Sequence, residues 1–300
     1  MTATQGYLTR ASKSMSKWSG WTFILPNFVG FAILTLVPVL VLFYMSFTEW
    51  NVFGGSEWIG LDNFTRLIAD ESFHTALFNT LYYAALHIPL TLLASLGLAM
   101  LLNTKLRGLA FFRTVAFFPY ITSIVAVAVV WNMLFSPDMG VINQALRSIG
   151  ISDPPGWTQS TAWAMPAVII VGTWREAGYY MLLFLAGLQT VPKELYEAAR
   201  TDGANAWQQF TNVTLPCLRP TTFFVVIILT IQSLKVFDLV LVMTNGGPGQ
   251  STLVLSQFIY NQGFVNNEFG YGASAAVVLV ALALAVTIFQ YLANKERETK

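Results

Sequence analysis

Six long apolar stretches decide what this chain can fold into. They run over Thr22–Phe47, Ala76–Leu102, Thr114–Phe135, Ala162–Leu188, Thr221–Thr244 and Tyr271–Ala293. About 20 mostly apolar residues in helical form cross about 30 Å of hydrocarbon. Lipid cannot satisfy open backbone groups, so stretches of this kind are expected to be helices. An outer-membrane barrel would instead alternate polar and apolar residues in strands of about ten residues. The expected fold is therefore an all-α integral membrane protein with six transmembrane helices. The first stretch follows Arg10, Lys13 and Lys17, as a signal peptide would, but it far exceeds a signal core and is expected to be a retained span.

The distribution of Lys and Arg sets the expected orientation. The amino-terminal segment carries Arg10, Lys13 and Lys17, and the second-to-third connection carries Lys105, Arg107 and Arg113. Lys193, Arg200 and Arg219 lie in the fourth-to-fifth connection, and Lys295, Arg297 and Lys300 in the tail. The other connections hold only Arg66 and Arg147. This asymmetry predicts that both termini are cytoplasmic. Trp50, Trp58 and Trp157 then fall near the outer surface, where aromatic residues commonly anchor a protein in the interface.

Composition closes off other classes. Charged residues are 10% of the 300 and the net charge is +1, so no basic field exists to attract nucleic acid. Cys217 is the single cysteine, and His74 and His87 are the only histidines, which leaves little material for a metal site. His87, beside Pro89 in the second span, is expected to be a packed or hydrogen-bonded residue. No phosphate-cradling Gly-Lys pair occurs, and Gly246-Gly247-Pro248-Gly249 reads as a turn. No zinc-protease or nucleophile-elbow pattern is present, so the chain is expected to be non-enzymatic.

The fourth-to-fifth connection, residues 189–219, is the most informative segment. Pro192 suits a helix start, Glu194 and Glu197 suit its first turns, and Gly203 permits a sharp turn before a second helix bearing Trp207 and Phe210 on one face. A small two-helix knob of this kind suits a groove on another protein, although an amphipathic loop lying on the inner leaflet would read similarly. The residues Glu197-Ala198-Ala199, Asp202-Gly203-Ala204, Phe210, Leu215-Pro216 and Pro220 resemble the EAA loop of ABC importer permeases. The likeness continues through Leu25-Pro26, Trp58-Ile59-Gly60-Leu61-Asp62-Asn63-Phe64, Phe111-Phe112-Arg113 with Pro119, and Phe237-Asp238 through Gly249. It is nearest to the MalF/UgpA-like inner-membrane subunits of binding-protein-dependent sugar transport. The maltose subunit of that type has extra amino-terminal spans and a large outer domain, neither of which is expected here.

The resemblance implies a type I ABC importer permease fold, residues 1–300 forming one transmembrane permease domain in a bacterial cell membrane. It implies a second homologous permease, two ATPase subunits that bind ATP and Mg, and an extracytoplasmic substrate-binding protein. Glu197, Ala198, Ala199, Asp202, Gly203 and Ala204 would then face the ATPase. The implied cargo is a mono- or oligosaccharide, with glycerol 3-phosphate or a glycerophosphodiester as the alternative. An ATP-independent channel or secondary carrier is the competing class.

Ionisable residues inside spans are costly and usually face an interior or an aqueous cavity. Arg175 and Glu176 in the fourth span, and Lys235 and Asp238 in the fifth, are therefore candidate pathway residues. Trp174, Tyr179 and Tyr180 would add aromatic faces suited to sugar rings. Lys235 and Asp238, three apart, are expected on one helix face. Arg175 and Glu176, adjacent on a helix, are expected to have different partners. Charge pairing that only fixes helix packing is the competing role for all four.

Overall fold

The computed structural model describes residues 21, 23–51, 55–104 and 107–298. Arg10, Lys13, Lys17, Lys105 and Lys300, on which part of the orientation rests, lie outside them, as does the side chain of Arg297.

Among the described residues, four unbroken helices are long and apolar enough to cross a membrane: α1 (Phe23–Ser46), α3 (Glu71–Leu102), α7 (Ala164–Thr190) and α13, which spans Phe269–Lys295 as a membrane segment and runs on to Glu298. Between α1 and α3 lie a two-stranded antiparallel hairpin, β1 (Thr48–Asn51) and β2 (Gly55–Trp58), and the short helix α2 (Asp62–Ala69). α3 begins five residues before the apolar stretch does. Asp70 caps it, with Oδ1 accepting from the backbone N–H groups of Ser72 and Phe73, so the helix rises out of the apolar layer.

The third and fifth spans are interrupted, which the apolar runs did not reveal. The third is split into α4 (Leu109–Ile121) and α5 (Ile124–Leu134), bent by 97°. Pro119 removes a backbone donor two residues before α4 ends, Thr122 is extended, and Ser123 also lies outside helical geometry. The fifth is split into α10 (Arg219–Leu234) and α11 (Asp238–Met243), with Lys235, Val236 and Phe237 between them. No proline or glycine marks that second break. Counting α4–α5 as one crossing, and α10 together with the preceding helix Ala206–Cys217, bent from it by 67°, as another, gives up to the expected six.

The remaining helices are α6 (Val141–Ser148), α8 (Lys193–Thr201), α9 (Ala206–Cys217) and α12 (Leu255–Tyr260). The most extensive pairing is α3 against α7; α4 packs on α7, α13 on α1, α10 on α3 and α11 on α5. Three apolar clusters result. One holds Phe135, Trp157, Val168 and Val240. A second holds Phe184, Leu188, Leu218 and Leu229. The third holds Leu67, Phe73, Phe258 and Tyr271.

Buried polar side chains tie the loops to the bundle. Asn79 donates to the carbonyls of Gln250 and Leu253, both at 2.9 Å, and Asn63 donates to those of Ser46 and Thr48, both at 3.0 Å. Each such bond contributes about 1 kcal/mol net. Trp157 departs from its expected interfacial role. It is 8% exposed, stacks on Phe135 at 4.6 Å and donates its indole N–H to Asn143 at 2.6 Å. Its long apolar neighbourhood, built by residues distant in sequence, decides its burial.

Candidate functional site

Two places in the fold carry the candidate residues. The first is a cavity of about 330 Å³ at the two helix breaks. Tyr120 and Ile124 reach it from either side of the α4–α5 bend. Gln232, Lys235, Val236, Phe237, Asp238 and Leu239 reach it from the α10–α11 interruption. Tyr83 and His87 of α3 and Gly172, Arg175, Glu176 and Tyr180 of α7 close its wall. Irregular backbone within a membrane is tolerated where it is buried in protein or lines a cavity, and both breaks line this one. Interrupted helices whose ends meet at midmembrane are a recurrent way of building a transport site.

Five of the seven pathway candidates, Arg175, Glu176, Tyr180, Lys235 and Asp238, line this cavity. Trp174 and Tyr179 do not. Trp174 is 45% exposed and meets Trp131 edge-on at 5.3 Å, while Tyr179 stacks on Tyr120 at 4.5 Å. Tyr179 thus supports the wall from behind. Lys235 and Asp238 do not share a helix face as expected, because α10 ends at Leu234 and α11 starts at Asp238. Phe237, with φ −146° and ψ −66°, sits outside helical geometry and redirects the chain between them.

Arg175 and Glu176 have the separate partners expected of neighbours on a helix, and they also approach each other. Arg175 Nη2 donates to the Tyr120 carbonyl at 3.3 Å, and its Nη1 lies 3.9 Å from Glu176 Oε1. Glu176 Oε2 faces His87 Nε2 at 3.8 Å. His87 is packed and hydrogen-bonded as expected, with Nδ1 2.9 Å from Ser233 Oγ and its ring stacked on Tyr83 at 4.8 Å. The residue also lines the cavity, with Nε2 buried beside the backbone of Gly172. Tyr83, Tyr120 and Gln232 were not singled out in the sequence. The i, i+4 spacing of Tyr83 and His87 within an apolar span was the signal available for the first of them.

The second place is the loop formed by α8 and α9. α8 ends in a Schellman turn: Ala204 N–H donates to the Ala199 carbonyl at 2.8 Å and Gly203 N–H to the Arg200 carbonyl at 3.0 Å. Gly203 has φ +81°, the left-handed conformation that this turn requires and glycine adopts without strain. Asn205 then caps α9 in a capping box with Gln208, each bond 2.9 Å. The run Asp202-Gly203-Ala204-Asn205 is therefore a complete stop-and-start signal. Tyr196 and Thr214 hydroxyls, 2.9 Å apart, hold the two helices together.

Glu197, Ala198, Asp202 and Gly203 are exposed on this loop, and Ala199 and Ala204 are half-buried. Trp207, 70% exposed, packs its ring 5.5 Å from Phe210, as their spacing predicts. The loop thus presents small and aromatic groups outward from a rigid frame.

Comparison with known proteins agrees with this architecture. Residues 87–298 match the model of the binding-protein-dependent transport system inner membrane component family. The lactose transport system permease protein LacF of Rhizobium radiobacter is 37% identical over 286 residues, covering 93% of this chain and 95% of LacF. The sn-glycerol-3-phosphate transport system permease protein UgpA of Yersinia pestis is 34% identical over 278 residues, covering 91% and 93%. A solved bacterial ABC transporter involved in import of the acidic polysaccharide alginate superposes with a TM-score of 0.82 at 28% identity, over 96% of this chain and 99% of that one. The alginate transporter has also been solved in complex with an alginate pentasaccharide-bound periplasmic protein, with a TM-score of 0.81 at 27% identity over 93% and 94%. The chain belongs to the binding-protein-dependent transport system inner membrane component family, and is a multi-pass, non-catalytic permease subunit of an ABC importer.

Proposed function

We propose that this permease imports carbohydrate, a mono- or oligosaccharide, through the cavity between α3, α7 and the two broken helices. The observation that carries this reading is a polar, aromatic-walled cavity in an otherwise apolar bundle: Tyr83, Tyr120 and Tyr180 stand beside Arg175, Glu176, Lys235 and Asp238. Aromatic faces with a few convergent polar groups suit a small polyhydroxy ligand. The lactose and alginate systems among the relatives support the same class.

In this reading the chain forms half of the path and pairs with a second homologous permease. Two ATPase subunits, which bind ATP and Mg, sit against the cytoplasmic loop, and an extracytoplasmic binding protein delivers the sugar. Glu197, Ala198, Ala199, Asp202, Gly203 and Ala204 contact the ATPase. Closure of the ATPase pair draws the loops together and shifts the bundle between inward-open and outward-open arrangements, a rigid-body change between two states. A second reading, import of sn-glycerol 3-phosphate or a related phosphodiester, draws on Lys235, an exposed cation on the cavity wall, and on the UgpA relative.

The test is purification of the chain from its native membrane in mild detergent, with companions identified by mass. Recovery of a second permease, an ATPase and a saccharide-loaded binding protein is expected. A binding protein loaded with a phosphate ester would select the second reading.

A further inference from the structure

A run of four aromatic rings leads out of the cavity. Phe237, at the α10–α11 break, lines the cavity and lies 5.3 Å from the ring of Tyr260 in α12. Tyr260 stacks on Phe264 at 5.7 Å, and Phe264 meets Phe269, the first residue of α13, edge-on at 5.9 Å. Tyr260 and Phe264, four positions apart, share one face of α12 and the π-turn Asn261–Val265 that continues it. The other face of that turn is closed. Gly263 is buried there, and a β-carbon on Gly272 of α13 would sit 3.0 Å from its backbone nitrogen. Glycine on both sides lets α13 pack against the turn and leaves the rings on the open side.

The run also has a direction. Phe269 lies two residues from Tyr271, whose hydroxyl donates at 2.7 Å to Asp70, the cap at the start of α3. The α8–α9 loop joins the bundle at Leu188 and Leu218, which pack with Leu102 at the other end of α3. The rings therefore lead from the cavity toward the end of the bundle opposite that loop. Phe264 is 67% exposed and Tyr260 39%, so both offer ring surface to a neighbour. Four amides, Asn261, Gln262, Asn266 and Asn267, alternate with these rings along the chain, and Asn266 and Asn267 are exposed. Polar side chains are costly against lipid tails, so a face turned to lipid alone is a poor account of this mixture.

We infer that Phe237, Tyr260, Phe264 and Phe269 form a track on which the sugar rings of the imported saccharide stack as they pass from the outer end of the bundle into the cavity. The C–H faces of a pyranose ring pack on aromatic faces, and neighbouring amides bond its hydroxyls. Overlapping ring contacts hand the ligand from one face to the next, so no single position holds it tightly. The track ends at Phe237, which makes it continuous with the cavity. This inference rests on the carbohydrate reading of that cavity.

The test uses the complete importer in cells lacking other uptake systems, with radiolabelled lactose and diacetylchitobiose as probes and sn-glycerol 3-phosphate as a probe without a ring. Wild type is expected to take up at least one of the two saccharides. For that probe, Tyr260→Leu and Phe264→Leu keep an apolar side chain and lose the ring. Each should lower the maximal rate of uptake about fivefold, with the affinity of the isolated binding protein and co-purification of the second permease and ATPase unchanged. Phe264→Trp and Tyr260→Phe keep a ring and should retain most of the wild-type rate. Phe289→Leu, the same change at a 72% exposed ring of α13 outside the track, should leave uptake unchanged. Wild-type saccharide uptake in both Leu variants, an equal fall in Phe264→Leu and Phe264→Trp, or loss of the assembly in either Leu variant overturns the track and leaves the carbohydrate reading standing. Rejection of both saccharides with uptake of sn-glycerol 3-phosphate overturns the track and the carbohydrate reading alike.

Discussion

α1 and α7 each cross the membrane once, and they do so in opposite surroundings. α1 is among the most apolar segments of the chain, yet none of its most apolar window is buried within the protein. α7 is the least apolar of the four unbroken spans, and more than half of its corresponding window is buried. Lipid tails are as apolar as leucine, so apolarity alone gives a helix no reason to pack against protein. α7 is drawn inward by small residues that let backbones approach and by polar groups that lipid rejects. Gly178 lies against the Ala116 carbonyl of α4, where a β-carbon would collide, and Arg175 and Glu176 face the cavity. At its carboxy-terminal end α7 leads into the α8–α9 loop, so one helix links the cavity to the loop read as the ATPase contact.

The strongest test of that linkage is Gly203→Asp. It should abolish uptake while the chain remains inserted and assembled. The backbone strain of about 1–2 kcal/mol is local to the turn, so the loss would come from the altered loop tip. Uptake assays beside immunoblots of membrane fractions check it, and wild-type uptake at normal expression would remove the loop from the coupling route. Next is Gly178→Leu against Gly30→Leu, the same change in the two spans. Gly178→Leu should destabilise the bundle by about 3 kcal/mol through overpacking. Gly30→Leu meets nothing within 4 Å and should stay within about 0.5 kcal/mol. Thermal unfolding in detergent separates them, and equal effects would break the contrast between the span that is open within this chain and the one enclosed by it.

A smaller effect is expected from Asp238→Ala at the mouth of the α10–α11 break. It should lower uptake several-fold while binding-protein docking, read by co-sedimentation with vesicles, survives. Loss of docking as well would assign Asp238 a structural role. The smallest effect is on the outer face. Trp157→Phe keeps the stack on Phe135 but loses the bond to Asn143, and should cost about 1–2 kcal/mol in thermal unfolding. An interfacial anchor would show almost none.

Much of the architecture was legible because each span announces itself by length and apolarity. The loop was equally legible, since Gly203 and the Asn205–Gln208 pair are local signals whose geometry depends on residues a few positions away. The break at residues 235–237 was not, because no proline or glycine marks it; its polar ends find a cavity made by α3 and α7. For the same reason Lys235 and Asp238 were placed on one helix face. Trp157 and Trp174 changed roles because a tryptophan's neighbours come from other spans: one is enclosed by Phe135 and Asn143, the other points away from the cavity against Trp131. His87 was read as packed or hydrogen-bonded and is both, held by Ser233 and stacked on Tyr83; that it also lines the cavity depends on α7, which the local sequence does not reveal.

The central claim is that this bundle moves a saccharide only when driven by an ATPase at its cytoplasmic loop. Reconstitution of the purified assembly in proteoliposomes, with labelled lactose and diacetylchitobiose outside beside the binding protein, and ATP sealed inside or omitted, tests it directly. The account predicts accumulation with ATP and none without it, and loss of accumulation in Gly203→Asp. Equal sugar entry without ATP, by the chain alone, would contradict it and mark the protein as a channel or secondary carrier.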